Sequence, residues 1–101
     1  MYGTIARLHP RPGKGEELRT LAGRWNADDS TRIPAGFRHS FLFEPDQEPY
    51  DRPTIFLVAV FDDRSSYVAN AESPEQDAEY RELRALLEDD PDWMDGTFVG
   101  R

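Results

Sequence analysis

Seven consecutive apolar residues, Ile55 to Phe61, run straight into Asp62-Asp63 and then into the helical stretch RSSYVANAESPEQDAEYRELRALLE. An apolar run without alternation is what a strand shows when both of its faces are covered. The acidic pair after it is suited to accept from the free amides of a helix start. With GFRHSFLFEP ahead of this block and DGTFVG behind it, the later part of the chain reads strand, strand, helix, strand. Ahead of that, Tyr2 to His9 reads as a strand ended by Pro10 and Pro12, which cannot donate to a ladder. From Glu16 the residues Leu18, Leu21, Ala22 and Trp25 recur at the spacing of one helix face. The chain thus reads as two βαβ units in tandem.

Local signals sharpen the boundaries. Ile33-Pro34-Ala35-Gly36 breaks the first helix, and Phe37 to Glu44 then alternates Phe37, His39, Phe41 and Phe43 against Arg38, Ser40, Leu42 and Glu44. Three prolines and three acids mark Pro45 to Pro53 as an exposed loop between two hairpin strands. The second helical region splits into Arg64 to Glu72 and a piece that opens with Ser73 as N-cap, Pro74 at the first position and Gln76 three residues after the cap, a capping box. Tyr80, Leu83, Leu86 and Leu87 form its apolar stripe, and Pro91 stops it. Asp95 to Gly100 reads as the last strand. The order strand, helix, strand, strand, helix, strand with right-handed crossovers gives a ferredoxin-like βαββαβ fold of the α+β class, a four-stranded antiparallel sheet with the first and third strands central.

A chain of 101 residues is expected to be a single domain, 1–101, that buries about 65% of its unfolded surface and gains from a partner. Helices on one side of the sheet would leave the far face of Ile55–Phe61 wet, and a second copy of the chain is the simplest cover, so a homodimer is expected. Twenty acidic against 12 basic residues give a net charge of −8, which opposes binding to nucleic acid or to anionic lipid. There is no cysteine, which excludes disulfides, thiolate nucleophiles and Cys-based metal sites. No apolar run nears the roughly 20 residues of a membrane span, and MYGTIARLHPRPGKG lacks the apolar core of a signal peptide; the expected location is the cytoplasm.

The PGKGEEL turn into the first helix, the Pro-Ala-Gly-Phe entry to the second strand, and FDDRSSYVANAESPEQDAEYRELR after the third carry a family likeness. Across Tyr2 to Gly100 the chain resembles the antibiotic biosynthesis monooxygenase-like members of the dimeric α+β barrel superfamily. The resemblance implies two sheets packed face to face into a barrel. It also implies a cofactor-independent monooxygenase, acting on a small hydrophobic or polycyclic phenolic substrate that activates oxygen once deprotonated. In the haem-degrading branch of that superfamily, a histidine stands ahead of the Ser-Pro after strand three. Here Asn70 precedes Ala71-Glu72-Ser73-Pro74, and an amide cannot replace imidazole on iron, so haem degradation ranks below.

Such an oxygenase needs an apolar slot, a donor to the phenolate and a group to take or place a proton. The residues of suitable type near the implied slot are His39, Asn70 and Tyr67 for catalysis and Trp25 and Arg38 for substrate binding. Each also has a plainer reading: His39 as a half-buried histidine satisfied by a neighbour, Asn70 as a backbone partner where the helix breaks, Tyr67 and Tyr80 as packing residues, Trp25 as part of the core stripe, and Arg38 as the partner of an acid. No metal or organic cofactor is implied. His9 and His39, on strands separated by the third, stand roughly 10 Å apart at two sheet spacings, too far to share a zinc. Asp62-Asp63 reads as a helix cap, Gly13-Lys14-Gly15 lacks the spacing of a phosphate loop, no serine sits in GxSxG, and the acids of the last helix read as a solvated face. The reading from a different class is a non-catalytic homodimer of the same fold that binds a small hydrophobic ligand or supports another protein.

Overall fold

The unalternated run of Ile55–Phe61 is a central strand in a computed structural model that describes residues 1–25 and 34–100. The elements are β1 (Tyr2–Leu8), α1 (Gly15–Trp25), β2 (Phe37–Phe43), β3 (Ile55–Phe61), α2 (Arg64–Ala71), α3 (Pro74–Ala85) and β4 (Asp92–Thr97). They form one sheet in the order β2-β3-β1-β4, with every neighbouring pair antiparallel. This is the ferredoxin-like arrangement, with β1 and β3 in the middle.

The helices cover one face. Ala6, Leu8, Ile55 and Leu57 from that face meet Leu18 and Leu21 of α1, Leu83 of α3 and Leu87 beyond it, and Leu42 and Leu86 pack on the cluster. Leu8, Leu18 and Leu87 lose all solvent contact. The apolar stripes of α1 and α3 are therefore used as helical amphipathicity dictates.

Caps set the helix starts. Asp63 accepts from the Ser66 amide at 2.9 Å, and Ser73 Oγ accepts from the Gln76 amide at 3.2 Å with Pro74 at the first position. The return half of the expected capping box differs: the Ser73 amide donates to the Asn70 carbonyl at 3.0 Å, while the Gln76 side-chain oxygen accepts from Asn70 Nδ2 at 3.2 Å. The preceding helix ends so close to the cap that its carbonyl reaches the amide first.

Two strand expectations are corrected. The alternation of β2 is broken by a bulge: Phe37 pairs with Phe61 and His39 with Val60, so Arg38 is the extra residue. Phe37 consequently joins Ser40 on the helix-covered face, while His39, Phe41 and Phe43 keep the other. Gly36 makes this entry possible, since at φ +78° a Cβ there would fall 2.3 Å from Ser66 Oγ. The last strand is Asp92–Thr97, not Asp95–Gly100. Its extent is set by its partner, because β1 begins at Tyr2 opposite Thr97 and the Phe98 amide donates to the Met1 carbonyl as the last rung.

Candidate functional site

Cross-strand register decides where the helices fail to fill the sheet. On the covered face the rows running across β2, β3, β1 and β4 are Leu42-Leu57-Ala6-Trp93, then Ser40-Ala59-Thr4-Asp95, then Phe37-Phe61-Tyr2-Thr97. The middle row is made of short side chains between two bulkier rows. A cavity of about 510 Å³ lies over it, within the range of small-molecule sites. Its floor is Ser40, Ala59 and Thr4, one wall is Phe37 and Phe61, and Leu57 and Leu83 continue it towards the core.

The helices supply the roof. Tyr67 and Asn70 come from α2, and Gln76, Tyr80 and Leu83, spaced i, i+4, i+7, come from α3. Trp93 and Asp95, two apart on β4, line it from the edge strand. Tyr80 and Trp93 meet at 6.4 Å between ring centroids, and Tyr67 packs against Phe61 at 5.6 Å and Tyr2 at 5.5 Å. The Tyr67 hydroxyl donates to Asp95 Oδ1 at 2.8 Å. Burial, and then the acceptor Asp95, push the Tyr67 phenol up to about 12. Tyr67 therefore keeps its proton at neutral pH and donates a hydrogen bond to Asp95. The Asn70 carboxamide is oriented by its bond to Gln76, and the Asn70 carbonyl accepts from Ser73 Oγ at 2.7 Å.

Of the residues singled out in the sequence, Tyr67 and Asn70 come together in the cavity. His39 does not join them. It is exposed on the opposite face of the sheet, stacked on Phe41 with centroids 5.7 Å apart. Arg38, the bulge residue, is exposed and pairs with Asp62. Trp25 is the last residue of α1, and its side chain lies outside the described residues. His9 is buried at the far end of β1, with Nδ1 at 3.3 Å from both the Pro53 carbonyl and Thr54 Oγ1. No histidine lines the cavity among the described residues, and none of their His, Asp and Glu side chains gather in a metal-binding group.

The sequence reading missed Trp93, Asp95, Thr4 and Gln76 as cavity residues and took Asp77 and Glu79, which also line it, for part of a solvated face. The signal for Trp93 and Asp95 was their i, i+2 spacing just after Pro91. It was hidden by placing the strand three residues late.

The fold and cavity define an α+β protein of ferredoxin-like architecture with a ligand-sized space between sheet and helices. No family model matches the sequence, and no curated protein matches it. Among solved structures, the chain is similar to the Mycobacterium tuberculosis protein Rv0793, at 22% identity and a TM-score of 0.72, covering 99% of this chain and 96% of that one. It is also similar to a protein of Bordetella bronchiseptica (12% identity, TM-score 0.76, 97% and 96% covered) and one of Deinococcus radiodurans (14%, 0.75, 100% and 95%). The last two carry the name antibiotic biosynthesis monooxygenase as a provisional assignment. The likeness is one of fold and spans the whole chain.

Proposed function

We propose that the chain works as a homodimer that binds a flat hydrophobic aromatic molecule in this cavity and oxidises it as a cofactor-independent monooxygenase. The observation that carries the reading is the cavity over the Ser40-Ala59-Thr4-Asp95 row, walled by aromatic rings and edged by carboxamides and carboxylates. The names of the Bordetella and Deinococcus structures support the reaction class. On a polycyclic phenol, the substrate loses its phenolic proton to a carboxylate at the cavity edge, and the electron-rich ring reacts with dioxygen. One oxygen atom becomes a new ring carbonyl, the other leaves as water, and all four electrons come from the substrate. Asn70 donates to the developing phenolate and Tyr67 holds the ring in place.

The homodimer is supported by the open sheet face. Its central row, Phe41-Val58-Ile5-Met94, is apolar, and Phe41, Phe43 and Met94 are 54%, 58% and 64% exposed. Contiguous apolar area of this kind marks an interaction surface. Two such faces packed on each other make the barrel implied by the resemblance. With no membrane-length apolar helix among the described residues and no cysteine in the chain, a reducing cytoplasm is the setting proposed.

The place of His39 outside the cavity favours a second reading, ligand binding without chemistry in the same cavity. Oxygen uptake decides between them. In the presence of a chelator, at least one polycyclic phenol should be consumed with one O₂ per turnover, and Asn70→Ala should lower kcat more than it raises KM. Saturable binding without oxygen uptake across a broad phenol panel would leave the non-catalytic reading standing.

A further inference from the structure

The charge of the cavity lining is one-sided. Among the described lining residues the formally charged groups are Asp77, Glu79 and Asp95, with no Lys, Arg or His. Asp77 already faces Arg81 at 2.8 Å. Asp95 is different: its carboxylate is held by the Tyr67 hydroxyl at 2.8 Å and has no ion pair among the described residues. It stands two residues from Trp93 on the same face of β4, with Tyr80 packed against the Trp93 ring. A carboxylate at the edge of a cavity lined by Trp, Tyr and Phe rings suits an organic cation, because ring faces and the carboxylate both attract positive charge. The same negative edge opposes a ligand that enters already anionic, such as a carboxylate, whereas a phenol enters neutral.

We propose that the cavity selects a flat aromatic ligand bearing a protonated amine, with its ammonium beside Asp95 and against Trp93 and Tyr80. The inference rests on the cavity being the ligand site, as proposed above, and not on the oxygen chemistry. On an aminated phenol the ammonium also offsets the charge that develops when the phenol ionises.

Three analogues of one shape test it: anthracenylmethylammonium, neutral anthracenemethanol and anionic anthracenecarboxylate, each titrated by fluorescence anisotropy against the full chain. The cation should bind at least about tenfold more tightly than the alcohol, the carboxylate should bind most weakly, and added salt should narrow the spread. Asp95→Asn, which keeps an acceptor for Tyr67, should shrink the preference for the cation below about threefold. Glu75→Gln, exposed on α3 outside the cavity, should leave it unchanged. Equal or tighter binding of the alcohol or carboxylate, a preference that survives Asp95→Asn, or no binding of any of the three would overturn the inference. Oxygen uptake on neutral phenols with no cation preference would sink this inference and leave the oxygenase reading intact, whereas cation binding without oxygen uptake does the reverse.

Discussion

The two faces of the sheet are built from alternate residues of the same four strands, yet they end in opposite conditions. On the helix-covered face, Leu57 and its neighbours are buried with Leu18, Leu21 and Leu83, and the row of short side chains beside them leaves a polar-edged cavity. On the open face, Phe41, Val58, Ile5 and Met94 form an apolar row with no helix over it among the described residues. The covered face finds its partners within the chain, around a cavity of small-molecule size. The open face leaves Phe41, Phe43 and Met94 exposed. At one end of that face, Arg7 pairs with Asp92 at 2.7 Å and lies over the Tyr50 ring, so the apolar centre has a charged border, as protein interfaces do.

Adjacent residues of β3 give the sharpest way to break this contrast. Leu57→Asp places a charge in the core and should abolish folding, read as loss of the cooperative thermal transition. Val58→Asp, one residue on but on the open face, should keep the helical circular dichroism and convert the proposed dimer to monomer in analytical ultracentrifugation. A wild-type chain that sediments as a monomer at micromolar concentration would remove the dimer from the comparison. Next in size is Leu87→Ala, which empties a fully buried site in the core and should cost about 2 to 5 kcal/mol in urea unfolding. Ser73→Ala gives up the bond to the Gln76 amide and should cost roughly 1 kcal/mol. Gln76→Ala should shift the melting temperature less, since that side chain bonds Asn70 in the cavity roof instead of the cap. Equal shifts for the two variants would put Gln76 back in the cap.

The smallest expected effect is a pH dependence that reports on the covered face alone. Tyr67 is raised from the ordinary phenol value near 10 to about 12 by burial and by Asp95. Its neutral form is the one the fold favours, so its contribution to stability is complete below pH 10 and disappears as pH rises towards 12. In ultraviolet titration one tyrosine should ionise late, and Tyr67→Phe should remove both that step and its share of the alkaline loss of stability. Ionisation of all tyrosines near 10 would mean that the Tyr67 pocket is open to water.

Much of the architecture was legible because it depends on local signals. The unalternated Ile55–Phe61 run, the Leu18-Leu21-Ala22 stripe, Asp63 and Ser73 as caps, and Pro91 as a stop each act within a few residues. They carry element order and fold class with them. Tyr67 and Asn70 were also legible as cavity candidates, through the likeness of the segment after β3 to a known family.

The rest was decided by pairings between distant parts of the chain. A single extra residue at Arg38 moved Phe37 to the cavity side and left His39 on the open face, and nothing in FRHSFLF marks where the bulge falls. The reach of β4 was set by the length of β1 and not by the strand propensity of Thr97-Phe98-Val99, so Trp93 and Asp95 entered the site unforeseen. The cavity itself belongs to a row of four short side chains, Ser40, Ala59, Thr4 and Asp95, one from each strand. By itself the sequence determined which segments are strands and helices, because hydrophobic period and capping are local. Only the tertiary structure decided which side chains share a face and a space, because register is a relation between strands that no single strand contains.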